Sequence, residues 1–246
     1  MRFYAIGDIH GHLDKLHGVH DLIAADRLAT GDPAAPVVHL GDFADRGPDV
    51  RGVLDFLIDG IAAGQPWICL KGNHDRMMEH YLRSPEQPDP LRDDLHWLQD
   101  IIGGRETLAS YGVDVSLDRN ERDIHADATA LVPPAHRAFL QALPNHHHAG
   151  AVYFCHAGIR PGVPLPDQVE DDLVWIRREF HDAADDHGAL IVHGHTPVDR
   201  VTHYGNRLNL DTGAAYGRAL SVAVIEGHEV AQLTPTGRKP LPPSSW

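Results

Sequence analysis

Five short motifs carry side chains that could bind metal ions and do chemistry on a bound ligand. They lie at residues 7–11, 41–47, 72–75, 156–158 and 193–196, and each places Asp, Asn or His beside glycine. Glycine permits tight turns and a close approach of the backbone to a ligand. Each motif comes at the end of a predicted strand. Because loops beyond the carboxyl ends of strands share one edge of an open α/β sheet, we expect the motifs to converge.

The candidate ligands combine carboxylate, amide and imidazole groups without a thiolate. They are Asp8, His10, Asp42, Asn73, His156 and His195. This mixture suits two divalent or mid-row metals such as Mn, Fe or Zn, and not a structural zinc site. A carboxylate can bridge two metals, and metals about 3.5–4 Å apart clamp an in-line phosphoryl displacement. A bridging water or hydroxide, with its pKa lowered towards neutrality, would attack the phosphorus directly.

The first part of the chain alternates between predicted strands and helices. Strands are predicted at 2–6, 36–40 and 67–70, and helices at 10–27 and from Pro48 to about Gly64. The helices follow from apolar residues spaced to line one helical face. Strands joined by helices in this order indicate parallel pairing with right-handed crossovers. The first three motifs therefore sit at strand ends of one sheet.

A different pattern begins after the third motif. We predict a helical insertion over about 76–145, with helices at 91–103, 105–111 and 134–143, and a solvated loop around the histidine run 146–148. Further strands are predicted at 151–155, 189–192, 207–210, 220–226 and 229–233, the last two joined by a hairpin turn at Gly227 and His228. A Pro/Ser-rich tail at 234–246 is expected to lie on the surface or fray. The length suits one domain spanning 1–246.

Composition excludes several classes of function. The formal net charge is -14, which disfavours a broad surface for duplex nucleic acid. No apolar run approaches the roughly 18 residues of a membrane span, and no leader segment precedes the first strand, so we expect a cytoplasmic protein. Cys69 and Cys155 lie in apolar runs and are expected to be reduced core residues. With 20 histidines in the chain, histidine number alone is weak evidence for metals.

The five motifs, in this order, resemble those of the calcineurin-like metallophosphoesterases. The likeness is closest to the phosphoprotein phosphatase branch with its small bacterial and phage members, and it runs from Asp8 to Thr196. It implies an α/β fold in which two mixed β-sheets pack as a sandwich flanked by helices. It also implies two metals, with Mn the first expectation. Their ligands would be Asp8 and His10 for the first metal, Asp42 for the bridge, and Asn73, His156 and His195 for the second.

The resemblance also assigns roles around the metals. His74 would be the general acid that protonates the leaving oxygen, with Asp45 orienting it. A carboxylate can fix the imidazole tautomer, and we expect it to raise the pKa of His74. The planar guanidinium of Arg46 would hold the phosphate oxygens. A second phosphate arginine is assigned to Arg177, in a stretch that resembles the Trp-x-Arg segment of phage-type members; the alternatives are Arg160 and Arg178.

Two substrates are open at this point. The Asp45-Arg46-Gly47 form resembles the serine/threonine protein phosphatase pattern and favours a phosphoprotein. The segment at 156–159 is also typical of symmetrical bis(5'-nucleosyl)-tetraphosphatases, so a dinucleoside polyphosphate is the alternative. A third hypothesis, from another class, is a non-catalytic scaffold with the same fold. That hypothesis predicts missing ligands, and every expected ligand is present.

Overall fold

The computed structural model describes residues 1–227 and 229–244 and contains two β-sheets. The strands are β1 (Arg2–Ile6), β2 (Val37–His39), β3 (Trp67–Cys69), β4 (His146–Ala149), β5 (Val152–Cys155), β6 (Leu190–His193), β7 (Thr202–His203), β8 (Arg207–Asn209), β9 (Val222–Glu226), β10 (Glu229–Thr234) and β11 (Gly237–Pro240). The helices are α1 (Leu13–Thr30), α2 (Val50–Ala62), α3 (Asn73–Arg83), α4 (Gly104–Ser110), α5 (Glu121–Leu131), α6 (Pro134–Ala142), α7 (Glu170–Trp175) and α8 (Arg178–His181).

The two sheets are both mixed. One runs in the order β11-β10-β9-β1-β2-β3 and the other in the order β4-β5-β6-β8-β7. Strands β1, β2 and β3 pair in parallel, with α1 and α2 as the crossovers, as the strand–helix rhythm predicts. Helix α1 buries Leu16, Val19 and Ile23, and α2 begins after Asp49, whose carboxylate accepts a hydrogen bond from the backbone of Gly52.

Alternating residues divide each central strand between two cores. Phe3 and Ala5 of β1 face the second sheet, and the ring of Phe3 lies 5.3 Å from that of Phe154. Tyr4 and Ile6, which point the other way, pack in the core with the helices. Since successive side chains of a strand point to opposite faces, one apolar run fills both layers. The predicted α/β sandwich flanked by helices is therefore confirmed.

The insertion differs from its predicted outline. The predicted helix at 91–103 is wrong, because this segment forms turns, although it buries Trp97, Leu98 and Ile102 as a helix would. Its first turn is set by Asp89, whose carboxylate accepts a hydrogen bond from the backbone of Leu91. Helix α5 was not predicted, since its sequence is mostly polar and it buries only two residues. Helices α4 and α6 match the predictions at 105–111 and 134–143.

The histidine run and the tail also take part in the sheets. Residues 146–149 form β4, paired antiparallel with β5, so the predicted solvated loop is wrong. Backbone pairing needs no particular side chain, and the rings of His146 and His148 lie beside Tyr153. Within the tail, β11 pairs with β10, and the backbone of Ser244 donates to His203.

Three other expectations concern single segments. Strands β9 and β10 are antiparallel, as a hairpin requires, while His228 at its turn lies outside the described residues, as do residues 245 and 246 of the tail. Cys69 and Cys155 are buried and form no disulfide. Throughout the described residues, no helix combines the length and the apolar character that crossing a membrane would need.

Candidate metal centre

The five motifs meet where strand ends of both sheets come together. Those at 7–11, 41–47 and 72–75 follow β1, β2 and β3, whereas those at 156–158 and 193–196 follow β5 and β6 of the second sheet. The expectation of a single shared sheet edge is therefore corrected to one edge of the sandwich. A hydrogen bond of 2.9 Å from the backbone of His195 to the Asp8 carboxylate joins the two sheets there.

The backbone at this edge is strained. Among the described residues, the non-glycine positions with positive φ are all in the motifs: His10, Asp42, Asp45, Arg46 and His195. Such conformations cost energy and persist only where the surrounding structure holds them. Glycine lets the backbone at residue 72 pass close to Asp42, because a Cβ at Gly72 would lie 2.2 Å from a carboxylate oxygen of Asp42. The strain is concentrated on the candidate ligands and their neighbours.

Four candidate ligands surround one point. Nε2 of His156 lies 3.0 Å from Oδ1 of Asn73, 3.2 Å from Nδ1 of His195 and 3.4 Å from Oδ1 of Asp42. The other ring nitrogen of His156, Nδ1, donates to the backbone carbonyl of Leu40 at 2.9 Å, which fixes the ring with Nε2 towards the group. These are the residues that the family resemblance assigns to the second metal, together with the proposed bridging carboxylate Asp42.

The second carboxylate oxygen of Asp42 faces another group. Nε2 of His10 lies 3.5 Å from Oδ2 of Asp42, while Nδ1 of His10 pairs with the Ala44 carbonyl at 2.8 Å. Ligand atoms of His10, Asp42 and His74 lie within 4.8 Å of one another. One oxygen of Asp42 thus faces each group, as a bridging carboxylate would. Asp8 is absent from both three-residue groups, but its Oδ1 is buried without a hydrogen-bond partner.

The donor set fits metal ions. Carboxylate, amide and imidazole groups converge, and among them the buried Oδ1 of Asp8 and Nε2 of His195 lack hydrogen bonds. Burial opposes charge on His156, yet the charge of Asp42 outweighs it and raises the pKa of His156 to about 9. Burial likewise disfavours the Asp42 carboxylate, but the His156 charge holds its pKa well below the usual value. The negative charge of Asp42 therefore favours a positive charge on the neighbouring His156.

His74 and Asp45 form a buried pair beside these ligands. Nδ1 of His74 lies 2.6 Å from Oδ2 of Asp45, and both side chains are almost completely buried. Burial raises the pKa of Asp45 well above its usual value and lowers the pKa of His74 to about 3. The loss of solvent around His74 outweighs the negative charge of Asp42, which acts to raise the pKa of the imidazole.

Asp75 is a site residue to which the sequence argument gave no role. One carboxylate oxygen accepts hydrogen bonds from the backbone of Phe43 and Ala44, at 2.9 and 3.1 Å, and the other accepts from the backbone of Gly72 at 2.9 Å. Burial raises its pKa to about 7. Asp75 thus ties the turn after β2 to the start of α3. Its position in the first turn of a helix is the signal that could have revealed it.

The structure separates the three candidates for the second phosphate arginine. Arg160 pairs with Asp172 through Nε, at 2.8 Å, and through Nη2, and Arg178 pairs with Asp182. Arg177 instead donates to the hydroxyl of Thr196 at 3.1 Å, and Thr196 directly follows the candidate ligand His195. Burial lowers the pKa of Arg177, and the charges of Asp42 and Asp8 oppose this shift.

Arg46 lies on the other side of the candidate ligands. Its Nη1 is 3.0 Å from Nε2 of His10, and its guanidinium stands 5.5 Å from the centre of the Tyr216 ring. Arg46 and Arg177 therefore place two guanidinium groups near the metal-ligand cluster. Planar guanidinium groups suit the oxygens of a phosphate.

The sequence profile of the calcineurin-like phosphoesterases matches residues 1–232. The chain belongs to this family. Members use a dinuclear metal centre and hydrolyse phosphoester bonds, so the protein is a metal-binding phosphoester hydrolase.

Relatives of known name cover almost the whole chain. The asymmetrical bis(5'-nucleosyl)-tetraphosphatases PrpE of Bacillus velezensis and Bacillus subtilis are both 25% identical to it, over 95% and 90% of this chain and 92% and 89% of their own. A solved putative diadenosine tetraphosphatase is 19% identical, with a TM-score of 0.63 over 99% of this chain and 95% of its own. A cold-active protein-tyrosine phosphatase of a psychrophilic Shewanella has a TM-score of 0.64 at 18% identity, over 98% of this chain and 80% of its own. The two solved structures support the fold alone.

Proposed function

We propose that the protein hydrolyses phosphoesters at a two-metal centre, with His74 as the general acid. The observation that carries this proposal is the placement of the His74–Asp45 pair beside the shared carboxylate Asp42. A hydrogen bond of 3.0 Å from the backbone of His74 to Oδ1 of Asp42 sets this placement. The metals would be held by Asp8, His10, Asp42, Asn73, His156 and His195. Mn is the metal we propose, because both hard oxygen donors and imidazoles bind it.

Each catalytic side chain then has a separate task. When bound, the two metals supply a water that is nucleophilic at neutral pH and neutralise charge on the phosphate. Arg46 and Arg177 hold the phosphate oxygens. His74 gives a proton to the leaving oxygen as the ester P–O bond breaks, while the bond from phosphorus to the water oxygen forms on the opposite side. Burial disfavours the imidazolium form of His74, and a bound phosphate dianion would favour it.

The first substrate that we propose is a phosphoprotein with phosphate on serine or threonine. Support comes from the Asp45-Arg46-Gly47 motif and from the buried Asp45 carboxylate that orients His74. The leaving group would be an alkoxide, which is strongly basic, so proton donation from an oriented acid is needed. A buried His–Asp pair supplies such a donor.

A second candidate substrate is a dinucleoside tetraphosphate. It is favoured by the names of the Bacillus relatives, which match along nearly the full length of both chains. In addition, the largely exposed ring of Tyr216 beside Arg46 offers a flat apolar face next to a phosphate-binding side chain. Aromatic faces of this kind stack on nucleobases.

One comparison ranks the two substrates. Mn-loaded protein is assayed on a phosphoserine peptide, a phosphotyrosine peptide and diadenosine tetraphosphate, and kcat/KM is measured for each. A phosphoprotein phosphatase hydrolyses the phosphoserine peptide best. A tetraphosphatase prefers the dinucleotide, and its products show whether cleavage is symmetrical (two ADP) or asymmetrical (ATP and AMP). Protein that binds about two metals per chain and hydrolyses none of the three, nor p-nitrophenyl phosphate, would contradict the enzymatic proposal.

A further inference from the structure

The insertion supplies hydrogen-bond donors to the buried Asp45 carboxylate. Besides His74, Asp45 has two side-chain partners, and both come from the segment 76–145. Nε1 of Trp97 donates to both carboxylate oxygens at 3.0 Å, and Oγ1 of Thr107 donates to Oδ1 at 2.8 Å. Trp97 is 4% exposed, and Thr107 and Asp45 are fully buried. Because solvent is excluded, the side-chain hydrogen bonds of this carboxylate come from these two donors and His74.

The same segment holds the strained backbone of Asp45 and Arg46. The hydroxyl of Thr107 accepts a hydrogen bond from the backbone of Asp45 at 2.9 Å, and the carbonyl of Gly103 accepts one from the backbone of Arg46 at 3.3 Å. Both residues have positive φ, of 74° and 68°. A Cβ on Gly103 would lie 2.4 Å from the backbone nitrogen of Arg46, so the approach requires glycine. The insertion therefore stabilises a turn that is unfavourable by itself.

We infer that Trp97 and Thr107 are positioning residues for the proton-transfer step, acting through Asp45 on His74. This inference rests on the proposed role of His74 as general acid. A buried carboxylate needs hydrogen-bond donors to be held in one orientation without an unsatisfied oxygen. Trp97 and Thr107 supply these donors, so Nδ1 of His74 finds a fixed acceptor and its other nitrogen is held for the leaving oxygen. The insertion thus helps to orient the general acid His74, in addition to packing against the sandwich.

Substitutions that remove one donor at a time test the inference. Trp97→Phe keeps an aromatic ring but loses Nε1–H, and Thr107→Val keeps the shape but loses the hydroxyl. Thr107→Ser restores the hydroxyl and serves as the rescue variant. Trp67→Phe and Thr129→Val are the matched controls: Nε1 of Trp67 has no hydrogen-bond partner, and Thr129 Oγ1 bonds only within α5.

The assay compares two aryl esters, phenyl phosphate and 2,4-dinitrophenyl phosphate, with Mn-loaded protein. Phenoxide is a basic leaving group that needs a proton, whereas dinitrophenoxide leaves without one. We expect Trp97→Phe and Thr107→Val to lower kcat on phenyl phosphate about tenfold, equivalent to about 1.4 kcal/mol. On the dinitrophenyl ester, kcat should change less than about twofold, with metal content unchanged. Thr107→Ser should recover most of the loss, and both controls should behave as wild type.

Two results would overturn the inference. One is an equal loss on both esters at full metal content, which would make Trp97 and Thr107 structural residues only. The other is wild-type kcat on phenyl phosphate for both variants. His74→Asn is run alongside: if it shows no preference between the esters, the proposed role of His74 is wrong. If it shows the preference while the Trp97 and Thr107 variants do not, the error lies in this inference alone. Should Thr107→Val fail to fold, Trp97→Phe decides by itself.

Discussion

Replacing Arg177 by alanine should weaken the binding of inorganic phosphate, the product of a phosphomonoesterase. The guanidinium of Arg177 lies beside the candidate ligands and donates to the Thr196 hydroxyl at 3.1 Å, with no carboxylate of the described residues paired to it. A hydrogen bond between charged groups contributes about 1.5–3 kcal/mol, or about 10- to 150-fold in a binding constant. Because part of the side chain remains exposed to solvent, we expect the lower end, about a tenfold rise in the inhibition constant.

Arg160→Ala is the matched control, because the guanidinium of Arg160 is paired with Asp172. Its loss should change the inhibition constant less than about twofold. Arg177→Lys should fall between wild type and Arg177→Ala, since lysine keeps the charge and loses the planar fork. The measurement is inhibition of p-nitrophenyl phosphate hydrolysis by phosphate, at saturating Mn and with metal content checked for each variant. A larger effect from Arg160→Ala than from Arg177→Ala would refute the reasoning and reassign the phosphate contact.

Three further predictions concern the metal bridge, the acid and stability at low pH. Asp42→Asn should empty or disorder both metal positions, since one oxygen of Asp42 faces each ligand group; elemental analysis showing two bound metals would exclude a bridge. His74→Asn should lower turnover of phenyl phosphate about 100-fold or more while metal content stays near wild type, and an equal loss of both would make His74 a ligand. Hydrogen bonds from Arg238 and Tyr4 hold the pKa of Asp26 below its usual value. The ionised Asp26 therefore stabilises the folded state above about pH 4, and this stabilisation is lost as the pH falls through the lower pKa of the folded state. Asp26→Asn should therefore destabilise the fold at pH 7 and flatten the acid limb of the unfolding curve, measured by thermal melts from pH 2 to 7, whereas Asp21→Asn, an exposed change on the same helix, should follow wild type.

Much of the fold could be predicted from the sequence, because local residue patterns indicate its helices and strands directly. Apolar spacing placed α1 and α2, β-rich runs placed the central strands, and the order of these elements implied parallel pairing. The motifs were readable for a related reason. A ligand at a strand end needs a tight turn, and the glycines that permit it stand next to Asp8, Asp42 and Asn73 in the chain.

Other features depend on partners that are distant in sequence. The insertion offered no motif, and residues 91–103 had the apolar spacing of a helix. The first of their turns is held by Asp89, which accepts two hydrogen bonds of 2.7 Å from Arg76. The histidine run became a strand because β5 offered a free edge. In each case a long-range contact outweighed the local preference.

The candidate site shows the same division. Residue types and glycine context in the sequence pointed to the candidate ligands, and the family resemblance assigned the His74–Asp45 pair. Only the tertiary structure showed that Arg160 forms an ion pair with Asp172, whereas Arg177 lies near the candidate ligands. It alone placed Trp97 against Asp45, 52 residues away along the chain. Hydrogen-bond donors to a buried carboxylate are selected by proximity in space, and one-dimensional spacing carries no record of that proximity.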